Sequence, residues 1–439
     1  MKTRNRIIMI LLLLAVVGTM IFGGVTYFNR PSAGKDSKRI TINFWSFWGS
    51  GARKDVINAI IKDFNSSQDR VKVKYTYQPW GDIWTKSLSA ITAGNPPDVI
   101  VQDINSVKQR AQANQSTDLS KYIDSSAPKK FYPQLWQTVL YKKNPYAIPF
   151  NTDTQVIFYN KQIFRAAGIK ESQLPTTWHQ LWKISHQLDI KKGQTFSRIG
   201  FYPMWTLGAD VWALNADNGV SWFNDKGQVK INTSNKIQSL EWLKKWQDYY
   251  GSATINKLEA DFGSGVSDPF ISGLVAMRAQ NINYYSSLLE TAPKNFDFGV
   301  IPLPKKTTNS QHWTWGGGFV LEVPHGAKHP KASYEFIKYL ASTKVQKKFG
   351  EKSFDIMANK KANNELVTDK KLSTKSRMIY RAAVQNFAHT VITPAPLSAP
   401  GYNSLVNQEI DQIFLGKQTP RAALNQAQRL VQNLVKQNK

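Results

Sequence analysis

From residue 39 onward the hydrophobic pattern switches repeatedly between strand and helix periods. Residues 39–45 (RITINFW) are apolar and rich in β-branched side chains, and they predict a strand ended by Gly49-Ser50-Gly51. Val56, Ile57, Ile60, Ile61 and Phe64 then recur at helical spacing. A second alternating run covers 71–77. Residues 82–93 predict a helix stopped by Gly94-Asn95-Pro96-Pro97, and Asp98-Val99-Ile100-Val101 predicts a buried strand. This β-α-β-α-β order specifies a parallel sheet of the α/β class. In such sheets ligands sit beyond the carboxyl ends of the strands, which here are residues 45–48 and 102–105.

Further along, strands are predicted at 155–159, 274–278, 298–301 and 318–323. Helices are predicted at 161–167, 177–188, 235–250, 331–349 and 421–437, the last with Thr419 as its cap and Pro420 in its first turn. No internal repeat is present.

The N-terminus differs from the rest. Lys2, Arg4 and Arg6 precede an uncharged run at 7–28. As a helix those 22 residues would span roughly 33 Å, the thickness of a bilayer's hydrocarbon core. A cleaved signal peptide is the alternative, with Ser32-Ala33-Gly34 as its best cleavage site, weakened by Pro31. Length favours an uncleaved anchor over residues 1–30, followed by a linker at 31–40. Arg30, Lys35, Lys38 and Arg39 leave positive charge on both flanks, so flanking charge does not set the orientation. Long domains are exported largely regardless of it, and the body is expected on the extracellular face of the cytoplasmic membrane, anchored or else secreted.

Charge narrows the partners. The formal net charge is +27, and residues 41–439 alone carry +21. Lysines such as Lys244-Lys245 and Lys347-Lys348 follow the ordinary solvated-face pattern, and no Arg-rich block with interleaved aromatics occurs, so no nucleic acid partner is expected. Anionic wall polymers suit the charge as well. The absence of cysteine excludes disulfides, thiolate chemistry and a lipid-modified cysteine.

Catalytic signatures are missing: there is no GxSxG, HExxH, GxxxxGK[ST] or GxGxxG. The six histidines complete no ligand set, so neither metal nor cofactor is expected. Gly316-Gly317-Gly318 reads as a tight turn that lets backbone amides approach a ligand. Asp103 and Asp153 could form the carboxylate pair of a glycosidase, a reading that stays open.

What remains is aromatic and amide chemistry. Trp45, Trp48, Trp80, Trp205, Trp222, Trp313 and Trp315 fall in predicted loops or at strand ends, whereas Trp178, Trp182, Trp242 and Trp246 have the helical spacing of packing residues. A sugar ring offers an apolar face to an indole and a rim of hydroxyls to Asp, Asn and Gln. Interspersed with Asp103, Asp153, Asn281 and Asn283, the loop tryptophans point to carbohydrate.

Several segments occur in a telling order: ITINFWSFWGS, AITAGNPPDVIVQD, YAIPFNTDTQVIFYNKQIFRAAGI, PTTWHQL, DPFISGLVAM, FGVIPLP and WGGGFVLEVPHGAKHPKASYEFIKYL. Through them nearly all of 40–439 resembles the extracellular sugar-binding proteins of bacterial ABC importers, the maltose-binding-like group. The resemblance implies a periplasmic-binding-protein-like fold of two α/β lobes around a cleft, with an N-lobe of 41–152 plus 317–355 and a C-lobe of 153–316 plus 356–439. Crossovers would lie near 151–152, 315–318 and 354–357. It also implies a non-enzymatic role, in which a monomer captures a sugar, closes, and delivers it to a membrane permease. The family's site positions fall on Trp45, Phe47 and Trp48, on Gln102, Asp103 and Asn105, on Asp153, on Asn281, Asn283 and Tyr284, and on Trp315 and Gly316. Trp80 and Trp205 join them from the aromatic argument. Two features depart from the group. The lipidated cysteine of many relatives is absent, and Asn283-Tyr284 stand where many have a Trp after Ala276-Met277. A secreted glycan hydrolase using Asp103 and Asp153, or a receptor for an anionic solute, are the alternative functions.

Overall fold

A computed structural model describes residues 39–193, 195–262 and 265–438; the apolar run at 7–28 and its expected membrane role lie outside the described residues. The principal strands are β1 (Ile40–Ser46), β2 (Val71–Tyr77), β3 (Val99–Asp103), β4 (Ala147–Thr152), β5 (Gln155–Asn160), β6 (Met277–Asn281), β7 (Phe298–Pro302), β8 (Thr314–Gly316), β9 (Gly318–Glu322), β10 (Ile356–Met357) and β11 (Thr390–Ile392).

The N-lobe is a six-stranded sheet in the order β10-β4-β9-β3-β1-β2. β1 pairs in parallel with β2 and β3, as the alternating pattern requires, while β9 enters antiparallel between β3 and β4. β1 buries Ile42, Phe44 and Ser46 on one face, and the helix Gly51–Ser67 lays Val56, Ile57, Ile60, Ile61 and Phe64 into the same core. The C-lobe is a three-stranded antiparallel sheet, β6-β5-β7, flanked by helices that include Trp178–Leu188, Ser234–Tyr250 and Pro420–Gln437. β5 is buried on both faces: Val156 and Phe158 join the cluster that holds the N-lobe core and also takes in Tyr285, Phe296 and Phe298 of the C-lobe, whereas Ile157 and Tyr159 join a second cluster within the C-lobe. One strand thus couples two hydrophobic cores.

The chain crosses between the lobes at Asp153-Thr154, from β4 to β5, and at Gly317, from β8 to β9. β10 adds to the N-lobe sheet beside β4, so residues 356–357 lie there and not in the C-lobe, where the resemblance put them. The expected single helix at 331–349 is two, Pro330–Leu340 and Thr343–Ser353. Ser342 breaks it: extended at ψ 150°, it accepts the Val345 amide at 3.4 Å and caps the second helix. The strand expected at 274–278 runs instead at Met277–Asn281.

A candidate solute site at the lobe crossings

Both lobe crossings carry polar groups that bond to each other. The Gly317 amide donates to Asp153 Oδ1 at 2.8 Å, Thr152 Oγ1 donates to the Gly317 carbonyl at 2.7 Å, and Asn281 Nδ2 donates to Asp153 Oδ2. The triple glycine makes this approach possible. A Cβ on Gly316 would lie 2.5 Å from the Asp153 carbonyl oxygen, and one on Gly318, at φ +150°, would lie 2.4 Å from that of Asn151. The Gly317 amide therefore serves Asp153, where the glycine run alone suggested approach to a ligand.

Burial pushes the Asp153 carboxyl up to about 6; the Gly317 amide and Asn281 oppose the rise, and the Asp355 and Asp103 carboxylates reinforce it. Asp103 is likewise raised by burial, although it accepts the Asn105 amide at 2.7 Å. Asp355 is held by Arg53 at 2.8 Å, by Asn151 at 2.9 Å and by Asn283 at 3.2 Å. Asn283 thus reaches across to Asp355 from the C-lobe. Nearby, Glu290 of the helix Tyr284–Thr291 accepts the Ala52 amide at 3.2 Å, a second tie between lobes.

Aromatic groups border these carboxylates. Phe47 meets Trp80 edge-on at 4.9 Å and Phe319 at 4.7 Å; Trp80 meets Trp84 at 4.7 Å. Phe319 is the register partner of both Asp103 and Asn151, so this cluster abuts the acidic crossing directly. Trp80 is 59% exposed. On the C-lobe side Trp315 is half-buried, its Nε1 donating to Thr393 Oγ1 at 2.9 Å, and its ring lies 3.2 Å from where a Gly317 Cβ would be. Asn105 also links the lobes, its carbonyl accepting the Ala395 amide at 3.2 Å, while its buried Oδ1 has no protein partner among the described residues.

The structure therefore brings Phe47, Trp80, Asp103, Asn105, Asp153, Asn281, Trp315 and Gly316 to one region, and it corrects others. Trp48 is 1% exposed, packed between Phe150 at 4.7 Å and Phe349 at 4.9 Å. Its amide donates to Ser46 Oγ at 3.2 Å in the bend after β1, which turns the ring into the N-lobe core. Trp205 is 2% exposed, wedged beside Tyr202 and Phe262, and Trp222 is buried beneath Lys236. Tyr284 packs in the C-lobe against Phe158 and the Arg278 guanidinium, so it is no stacking platform. Gln102 is buried in β3, and Trp45 is half-exposed on the sheet face opposite Phe44. Sequence reasoning missed Trp84, Phe319, Arg53 and Asp355. Only Trp84 had a signal, one helical turn beyond Trp80.

Two α/β lobes joined at crossings lined with carboxylates, amides and aromatic rings define a two-lobe binding protein of the maltose-binding-like architecture. The chain belongs to the bacterial extracellular solute-binding protein family, whose sequence profile matches residues 59–375. It is similar to the sn-glycerol-3-phosphate-binding periplasmic protein UgpB of Brucella abortus, 22% identical over 406 residues that cover 87% of this chain and 90% of the relative. It is also similar to the multiple sugar-binding protein of Streptococcus mutans, 23% identical over 361 residues, covering 77% and 79%. Among solved structures, CpMnBP1 with mannotriose bound superimposes with a TM-score of 0.75 at 26% identity, covering 89% of this chain and 99% of that one.

Proposed function

We propose that this protein captures a neutral oligosaccharide between its lobes and delivers it, without chemical change, to the permease of an ABC importer. The observation that carries the reading is the junction at Phe319, where the exposed Trp80 ring and its aromatic neighbours meet half-buried carboxylates. Aromatic faces suit the C–H face of a pyranose, and Asp153, Asp103 and Asn281 suit its hydroxyls. The mannotriose-bound and multiple sugar-binding relatives point the same way.

The UgpB relatives point to a phosphorylated solute as the second reading, and the local charge weighs against it here. The Asp103 and Asp355 carboxylates already make ionisation of Asp153 costlier, and the cation beside them, Arg53, is engaged by Asp355. A phosphate would add negative charge to that cluster. Asp153 and Asp103 are also committed to holding backbone amides, a positioning role in place of acid–base chemistry.

A thermal-shift screen tests the proposal, using manno-, malto- and chito-oligosaccharides alongside sn-glycerol 3-phosphate. Stabilisation by a saccharide, which chromatography then recovers intact, is expected. Stabilisation by glycerol phosphate alone, or release of shorter sugars, would overturn it. The apolar run at 7–28 serves as an uncleaved anchor in this reading. Mass spectrometry of membrane fractions should recover a peptide ending before Ser32; a mature chain in the medium starting near Lys35 would replace the anchor by a cleaved signal.

A further inference from the structure

Residues 343–381 carry eleven Lys and Arg against four Asp and Glu, a net of +7, so these 39 residues hold a third of the +21 carried by 41–439. The fold gathers them on one side of the molecule, beside the N-lobe sheet. In the helix Thr343–Ser353, Lys344, Lys348 and Lys352 recur every four residues and share one face. Lys347 of the same helix meets Asp369 at 2.5 Å, which brings in the neighbouring Lys370 and Lys371. Arg381 of the helix Thr374–Asn386 donates to the Val367 carbonyl at 3.2 Å and extends the patch. Three of the four acids are occupied: Asp355 is buried against Arg53, and Asp369 and Glu351 both meet Lys347. Lys344, Lys352, Lys370 and Lys371 are exposed and form no ion pair among the described residues.

The patch lies next to the point where the chain enters the fold. The guanidinium of Arg39, the first described residue, donates to the Asn65 carbonyl at 2.5 Å; two residues earlier on that helix, Asp63 accepts Lys348 at 2.7 Å. Residues 29–38 separate Arg39 from the apolar run at 7–28, and ten residues reach at most roughly 36 Å. A chain held in the bilayer by that run therefore keeps the lysine face within reach of lipid headgroups, at an effective concentration that a freely diffusing protein lacks. β1 begins at this entry and carries Phe47 beyond its far end, so the solute site lies away from it. We propose that this basic face docks on anionic lipid headgroups beside its own tether, a resting position in which the solute site is turned away from the bilayer. Each exposed lysine close to an anionic surface raises partitioning by roughly fivefold, and salt weakens the attraction, so the contact is reversible when the receptor delivers its solute. The inference rests on the anchor reading of 7–28 and is independent of which solute is carried.

The full chain, reconstituted through 7–28 into lipid nanodiscs, tests it. Because the chain has no cysteine, Met378→Cys places a single fluorescent dye on the patch, at a position that is 64% exposed and one helical turn before Arg381. Leu415→Cys, 63% exposed in the C-lobe, is the control. A quencher attached to the lipid headgroups should dim the Met378 dye several-fold more on discs of mixed phosphatidylcholine and phosphatidylglycerol than on pure phosphatidylcholine. Salt at about 1 M should abolish the excess, and the Leu415 dye should not distinguish the two discs. Replacing the four exposed lysines together (Lys344→Gln, Lys352→Gln, Lys370→Gln and Lys371→Gln) should remove the excess and leave the melting temperature nearly unchanged. Equal quenching on the two discs, or a fourfold variant that behaves as wild type, would overturn the dock. Tight binding to soluble poly(glycerol phosphate) without excess quenching on anionic discs would give the face to wall polymer instead, and overturn the lipid assignment. Failure of the wild type to enter the discs at all would overturn the anchor reading and the dock with it.

Discussion

Trp48 and Trp80 occupy matching places in the chain, each just beyond the carboxyl end of a parallel strand, yet they have opposite fates. Trp48 follows β1 and is buried against Phe44, Phe150 and Phe349; Trp80 follows β2 and is 59% exposed. The difference lies in the sheet order. β1 has β2 on one side and β3 on the other, so elements from elsewhere in the chain close over its end: β4 supplies Phe150 and the helix Thr343–Ser353 supplies Phe349. β2 is the edge strand, with no further strand beyond it among the described residues, and Trp80 rests against Phe47, Trp84 and Phe319 with more than half of its surface open. A loop position tells only that a tryptophan has left its strand. Whether it can meet a ligand depends on where the strand sits in the sheet.

The most damaging way to probe this contrast is to truncate the buried ring. Trp48→Ala should cost about 3–5 kcal/mol of stability, because it removes a fully buried indole and leaves a cavity. Trp205→Ala should behave similarly in the C-lobe core. In both variants, chemical denaturation should shift strongly while the affinity of the folded fraction for saccharide stays close to wild type. A variant of normal stability with weakened binding would return Trp48 to the cleft.

Asp153 comes next, and here binding moves more than stability. Asp153→Ala should lose about 2 kcal/mol of affinity, since ligand hydroxyls, the Gly317 amide and Asn281 would be left without their acceptor. The pH dependence has a definite sign. With a folded pKa of about 6, above the unfolded carboxyl's ordinary value of about 3.9, Asp153 binds its proton more tightly when folded. Its contribution to stability is full below the unfolded pKa and is lost as pH rises through about 6. Ligand hydroxyls that donate to the carboxylate favour the ionised form, so wild-type affinity should fall as pH drops below about 6. Asp103 titrates in the same direction, so the informative measurement is the difference between wild type and Asp153→Asn across pH 4–8, measured by titration calorimetry and by melting. Matching pH profiles for the two proteins would remove Asp153 from the site.

The parallel N-lobe core was legible because each element carries its own period. The five apolar residues of helix Gly51–Ser67 and the alternation of β1 appear in the structure at the spacing read from the chain. Other features depend on contacts the local pattern does not encode. Ser342 looks like one more polar position on a helix face until its side chain caps a new helix. Phe319 joins the aromatic cluster only because β9 inserts antiparallel beside β3, a pairing made far along the chain. Asp153 stood out as a candidate carboxylate and again through family resemblance. Its elevated pKa follows from burial and from Asp355 and Asp103, groups that converge only in three dimensions.

The smallest expected effect is also the most selective. Trp80 contributes little to the core, so Trp80→Ala should leave the melting temperature nearly unchanged. Its ring nevertheless stands beside Phe47, Trp84 and Phe319 at centroid distances between 4.7 and 5.5 Å, which fixes its orientation before any ligand arrives. A preorganised ring gives up little freedom on binding, so most of the stacking energy should appear as affinity. Loss of the stack should cost about 1 kcal/mol, roughly fivefold in Kd. Trp80→Phe should recover part of that loss, because a smaller ring still offers a face, whereas Trp80→Leu should recover less despite its similar hydrophobicity. Calorimetry of the three variants with matched melting curves separates a stacking platform from a greasy surface. Equal affinities for Phe and Leu at this position would mean that Trp80 supplies only apolar area, and the contrast with Trp48 would then be one of burial alone.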